Sequence, residues 1–154
     1  MAKEIERKFL VDKDKLPPLS NPQNIIQGYI PSSNATVRVR INNDKAFLTL
    51  KGKTKGISRS EFEYPIPIED AKDILDELCI KPYIEKKRYN IHIGKHIWEI
   101  DVFEGQHEGL IVAEIELSSE DEAFEKPSWV IKDVSHDYRY KNAYLVKHSS
   151  KDLI

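Results

Sequence analysis

Acidic residues recur two positions apart within four candidate β-strands: Glu4/Glu6, Glu61/Glu63, Glu99/Asp101 and Glu114/Glu116. Basic residues do the same at Arg38/Arg40 and Lys86/Arg88. In a β-strand successive side chains point to opposite faces, so residues i and i+2 share a face about 7 Å apart. Two carboxylates held that close repel, and a divalent cation with oxygen ligands is their natural counter-charge. Two basic side chains held that close suit an extended anion such as a phosphate chain. One surface bearing both suits a metal ion together with a polyphosphate.

The sequence supplies strands to carry these pairs. Segments 3–11, 25–31, 36–41, 46–51, 58–68, 83–93, 96–104 and 110–118 are rich in Val, Ile, Phe, Tyr and Thr. Turn signals such as Asn42-Asn43-Asp44 and Lys51-Gly52 separate them, and Gly94-Lys95 suggests a hairpin. One helix is clear over 69–79: Ala71, Ile74, Leu75 and Leu78 recur at helical spacing, Glu69 and Asp70 suit its N-terminus, and Pro82 lies beyond its end. A second helix is expected over 138–148, with Tyr140, Ala143, Tyr144 and Val146 as its apolar positions. Residues 16–22, Pro-rich, read as a loop, and 120–133 as a short helix followed by a loop.

Alternation then sorts charge from apolar surface strand by strand. Glu4, Glu6 and Lys8 oppose Ile5 and Phe9; Arg38 and Arg40 oppose Val37, Val39 and Ile41. Lys51 shares a face with Thr49, opposite Leu48 and Leu50. Arg59, Glu61 and Glu63 oppose Phe62 and Tyr64. Glu99 and Asp101 oppose Trp98, Ile100 and Val102, and Glu114 and Glu116 oppose Ala113, Ile115 and Leu117. Lys86 and Arg88 share a face that Lys87 opposes. An ordinary antiparallel sheet also has a polar, solvated face. Here that face is almost purely carboxylate, Lys and Arg. Patterning leaves two architectures open: an open sheet with a solvated charged face, or a barrel closed around it.

The 154 residues and 17.9 kDa fit a single domain over 1–154. Charged residues make up 32% of the chain, against an average near 25%, yet the net charge is only −2. That balance argues against a protein that binds duplex DNA through its charge, so no nucleic-acid partner is expected. A lone cysteine, Cys79, rules out an intramolecular disulfide. No apolar run approaches the roughly 20 residues of a membrane helix, and the first ten residues lack a signal-peptide core. The expectation is a soluble cytoplasmic protein without membrane partners. Gly52-Lys53-Thr54 imitates the end of a P-loop, but Phe47 stands where that motif needs glycine. His92 and His96 flank a hairpin, so helical zinc spacing does not apply. Cys79, Trp98 and Trp129 read as packing residues.

At Glu4-Ile5-Glu6-Arg7-Lys8 the chain carries an ExExK pattern, followed in order by Arg38-Val39-Arg40, Thr49-Leu50-Lys51, Arg59 with Glu61-Phe62-Glu63, 85–89, 99–103, Glu114-Ile115-Glu116 and 139–142. In this the sequence resembles the CYTH superfamily, the triphosphate tunnel metalloenzymes. The resemblance implies a mainly β fold: an eight-stranded antiparallel closed barrel forming a tunnel, with helices packed outside. It also implies one or two Mg²⁺ or Mn²⁺ ions and a small-molecule triphosphate substrate. The compact form is most similar to small bacterial members that hydrolyse inorganic triphosphate. Class IV adenylate cyclases, nucleoside or thiamine triphosphatases and, outside enzymes, a barrel that binds polyphosphate or RNA ends are the alternatives.

Carried over position by position, the resemblance assigns Glu4, Glu6, Glu61, Glu63, Asp101, Glu114 and Glu116 to metal. It assigns Lys8, Arg38, Arg40, Lys51, Arg59, Lys86, Arg88, Arg139 and Lys141 to phosphate oxygens, with Glu114, Glu116 and Lys8 as the catalytic set. An apolar outer face with two helices to cover it leaves room for a homodimer.

Overall fold

In the computed structural model, residues 3–148 and Leu153 are described. The chain runs β1 (Lys3–Val11), β2 (Gln23–Ile30), β3 (Thr36–Asn42), β4 (Lys45–Lys51), β5 (Ser58–Ile66), α1 (Ile68–Glu77), β6 (Ile84–Ile93), β7 (His96–Phe103), β8 (Ile111–Glu116), β9 (Val130–Asp133) and α2 (Asn142–Leu145). The pairing order is β5-β4-β3-β2-β6-β7-β8-β1, all antiparallel, with β9 added beyond β1. The β3–β4 and β6–β7 hairpins turn where the expected signals lie: Asn43 (φ 54°) and Gly94 (φ 59°) take the left-handed conformation that these residue types tolerate.

Strand β1 closes the barrel by changing partners along its length. Its first residues pair with β5 (Lys3↔Ser60, Glu4↔Arg59, Ile5↔Ser58), and Glu6 to Leu10 pair with β8. The far end pairs with β9, where Phe9 faces Asp133 and Val11 faces Val130. Patterning had left an open sheet possible; the β1–β5 pairing makes it a closed eight-stranded barrel.

Outside the barrel, α1 lies across β2, β3 and β4, burying Ala71 and Leu75 against Val39 and Ala46. Gly28 permits the close approach, since a Cβ there would stand 2.8 Å from Leu75 Cδ2 and 2.9 Å from Cys79 Cβ. The outer face of β1, β7 and β8 is covered without a helix. Ile5, Phe9, Trp98, Ile100 and Ile115 pack under Leu16, Leu19, Phe124 and Trp129, with Trp98 edge-on to Trp129 at 5.3 Å. Cys79 is buried in the α1 layer, as a packing thiol should be.

Two expectations are corrected here. Residues 120–133 hold no helix; they end in β9, whose alternation is too short to read from sequence. Nor do 138–148 form a continuous helix packed outside. A 3-10 turn (Tyr138–Tyr140) and the single-turn α2 are separated by Lys141, which is extended. Tyr140, Leu145 and Val146 pack with Ile84, Phe103 and Val112. Those three stand two residues along from Lys86, Asp101 and Glu114, on the same faces. The charged inner face therefore becomes apolar towards one end of the barrel, and the C-terminal segment fills that end. Each fully buried side chain of that size contributes about 1.5–3 kcal/mol of transfer free energy. Among the described residues no helix is long and apolar enough to cross a membrane.

Candidate active site

Strand pairing turns the charged faces inward around one cavity of ≈ 530 Å³. Its wall contains Glu4, Glu6, Lys8, Arg38, Arg40, Lys51, Arg59, Glu61, Glu63, Lys86, Arg88, Glu114, Glu116 and Lys141. Register explains the gathering: Glu4 faces Arg59, Glu6 faces Glu116, Lys8 faces Glu114, Lys51 faces Glu61 and Arg88 faces Asp101. Two residues expected in the site are not in this wall. Asp101 is fully buried behind it, and Arg139 is exposed, its Nη2 donating to Asp137 Oδ2 at 2.7 Å. Arg139 lies within a 3-10 turn and Lys141 is extended just beyond it, so Lys141 alone of the two reaches the cavity wall.

The wall divides into two chemical sectors. In the first, carboxylates from β1, β5 and β8 outnumber the cations among them. Glu4 accepts from Lys51 Nζ at 3.0 Å and from Arg59 Nε at 3.1 Å; Lys51 also pairs with Glu61 at 3.1 Å. Lys8 lies 3.4 Å from Glu114 and donates to the Tyr140 carbonyl at 3.0 Å. Burial raises Glu4, but Lys51 and Arg59 outweigh it and bring it down to about 2. Burial also raises Glu114, yet Lys8, Arg88 and Lys86 hold it well below the usual carboxylate range. For Glu6 the balance reverses: burial, then Glu114 and Glu4, outweigh Lys8 and Lys51 and push it up to about 8. Glu116 and Glu61 are also raised, first by burial and then by neighbouring carboxylates.

In the second sector cations from β3 and β6 dominate. Arg88 grips Asp101 through Nε (2.7 Å) and Nη2 (2.9 Å) and reaches Glu99 at 3.2 Å. Lys86 sits 2.8 Å from Asp101 and donates to Asn142 Oδ1 at 2.9 Å. Arg38 donates to Thr49 at 3.3 Å and pairs with Glu63 at 3.5 Å. Burial, then Arg38 and Arg88, lower Arg40 to about 9.

The CYTH domain family model fits residues 2–150. This chain belongs to the CYTH family. Over 154 residues it is 48% identical to an inorganic triphosphatase of Acetivibrio thermocellus, covering 99% of each chain. It is 35% identical over 147 residues to an inorganic triphosphatase of Nitrosomonas europaea, covering 92% of this chain and 95% of that one. A crystal structure of an inorganic triphosphatase superposes with TM-score 0.67 at 31% identity, covering 96% and 97% of the two chains.

The family's metal dependence can be tested against these side chains. The acidic sector offers only carboxylate oxygens, the donor set of a hard divalent cation. Glu6, Glu61 and Glu116 are all raised above the usual carboxylate range, first by burial and then by neighbouring carboxylates, despite the lysines nearby. Among the described residues no three carboxylates are drawn around one point, because Lys51 and Lys8 stand among them. The chemistry therefore fits a cation that would compete with those lysines.

Several wall residues carry no site assignment from the sequence: Tyr29, Lys53, Thr54 and Asp137, and Asn142, which entered only as part of the 139–142 motif. Glu99 also lines the cavity, although only its pairing with Asp101 had been noted. Neutral residues give no charge signal, and the loop and C-terminal positions have no strand parity to place them.

Proposed function

We propose that this CYTH protein hydrolyses inorganic triphosphate to pyrophosphate and phosphate inside its barrel, with Mg²⁺ or Mn²⁺. The single observation that carries this is the juxtaposition of an acid-rich sector and a base-rich sector in one cavity. The 48%-identical inorganic triphosphatase, matched end to end, supports the same substrate.

Phosphoryl transfer is mostly positioning and neutralisation of charge. Arg38, Arg40, Lys86 and Arg88 hold phosphate oxygens along one wall, and Lys51, Arg59 and Lys141 hold them where the acidic sector begins. Asp101 acts behind the wall: buried between Arg88 and Lys86, it fixes both cations rather than meeting substrate. Lys8, fixed by Glu114 and the Tyr140 carbonyl, presents its ammonium to the reacting end of the chain. A divalent cation held by Glu4, Glu6, Glu61, Glu114 and Glu116, with Glu63 at the rim, would supply Lewis-acid neutralisation of phosphate oxygens and lower the pKa of water. Arg139, exposed and paired with Asp137, has no direct part in this reading. Residues 1–154 act as one tunnel domain, in the cytoplasm, where a lone thiol such as Cys79 suits the reducing conditions.

The test is a substrate panel of triphosphate, pyrophosphate, ATP and thiamine triphosphate, scored by kcat/KM with Mg²⁺ and with Mn²⁺. Triphosphate should rank first. Pyrophosphate should be poor because it spans fewer cations. Cyclic AMP as the main product from ATP would contradict the proposal.

A further inference from the structure

Arg40 differs from its neighbours in what holds it. Arg38 pairs with Glu63, Arg88 with Asp101 and Glu99, and Lys51 and Arg59 with Glu4. Among the described residues no carboxylate pairs with Arg40; its Nε donates to Gln27 Oε1 at 2.7 Å. Arginine has no acceptor, so this bond settles which way the Gln27 amide points. The Gln27 nitrogen then donates to the Tyr29 hydroxyl at 3.0 Å and to Asn142 Oδ1 at 3.1 Å. Asn142 Oδ1 also accepts from Lys86 Nζ at 2.9 Å. Gln27 is fully buried behind the wall, in cross-strand register with Arg40.

The neutrality of Gln27 is the informative feature. A carboxylate of the same reach would form a charge-assisted pair with Arg40, as Asp101 does with Arg88, and would cancel the positive charge that Arg40 offers to an anion. An amide fixes the guanidinium through Nε alone and leaves both Nη groups charged and available. Its other hydrogen atom ties the same position, through Asn142, to Lys86.

We propose that Gln27 is a positioning residue for substrate: a neutral anchor that aims Arg40, and through Asn142 Lys86, at phosphate oxygens without neutralising them. The inference rests on the triphosphatase reading of the tunnel and adds a residue to it that touches no substrate itself.

The experiment compares Gln27→Glu and Gln27→Met, each in the wild-type and Arg40→Met backgrounds. Triphosphate Kd is measured by calorimetry in excess EDTA, where the substrate is not turned over, and KM, kcat and melting temperature are measured at fixed Mg²⁺. Gln27→Glu should raise Kd and KM at least tenfold with a smaller change in kcat, and should melt no lower than wild type. Gln27→Met should raise Kd several-fold and carries the test if the glutamate variant does not fold. Most of either loss should vanish once Arg40 is replaced, the remainder passing through Asn142 to Lys86. A merely structural role would lower melting temperature and kcat alike in both backgrounds. Wild-type Kd in both Gln27 variants, or a loss undiminished in the Arg40→Met background, overturns the inference and leaves the triphosphatase reading standing. An unsubstituted protein that neither binds nor hydrolyses triphosphate overturns that reading itself.

Discussion

Glu6 on β1 and Glu116 on β8 stand directly opposite each other across an antiparallel pair, both facing the cavity. Like charges so opposed destabilise a ladder. Burial, Glu114 and Glu4 place Glu6 at about 8, against an ordinary value of 4.5. A folded-state pKa above the unfolded one contributes stability that is full below the unfolded value and lost as pH rises through the folded value. With chelator present, melting temperature should therefore fall between pH 5 and pH 8 more steeply in wild type than in Glu6→Gln. Added Mg²⁺ should stabilise wild type more than the variant. Parallel pH profiles would show that Glu6 carries no such strain.

Replacing Arg40 with Ala removes a charge-assisted phosphate contact, which is worth about 1.5–3 kcal/mol, or roughly 10- to 150-fold in kcat/KM. Lys45, exposed at the start of β4, is the control and should change kcat/KM less than twofold on replacement with Ala. Equal losses at both positions would mean that overall charge matters and position in the tunnel does not.

Glu116→Gln retains size and hydrogen-bonding capacity but removes one negative charge from the acidic sector. Turnover should fall by orders of magnitude while the basic wall still binds triphosphate. At a hundredfold excess over Kd, bound ligand stabilises a fold by ~2.7 kcal/mol. The variant should thus show a triphosphate-dependent rise in melting temperature with Mn²⁺ present and almost no hydrolysis. Loss of both would mean that the cation is needed to hold the substrate, and the division into metal and phosphate sectors would be wrong.

Gly28→Ala places a methyl group against Leu75 and Cys79, outside the tunnel. Overpacking of this kind costs about 1–3 kcal/mol, and melting temperature should drop by several degrees. At 25 °C kcat/KM should stay within twofold of wild type. A large loss of kcat/KM at unchanged melting temperature would show that α1 docking reaches the site.

Strand alternation made most of the barrel readable because its period survives in any half-charged strand. Glu4, Glu6 and Lys8 already declared an inner face, and β1 has the bounds that alternation gave it. Closure was not readable from patterning, since the pairing of Glu4 with Arg59 depends on register between distant segments. The C-terminal segment was misread for another reason. Tyr140, Ala143, Tyr144 and Val146 have apolar spacing that suits a helix on a surface, but Tyr140 and Val146, together with Leu145, fill the barrel's own apolar end. Gln27 carried no signal at all: its importance comes from Arg40 beside it on β3, and an uncharged residue in a strand looks like any other.

Metal-dependent hydrolysis in the tunnel is followed directly by phosphorus-31 NMR of tripolyphosphate with the protein and Mg²⁺. Equimolar phosphate and pyrophosphate are expected, with pyrophosphate accumulating and turnover stopping when EDTA exceeds the metal. Persistence of tripolyphosphate with either Mg²⁺ or Mn²⁺, or hydrolysis that continues unchanged in excess EDTA, would contradict it.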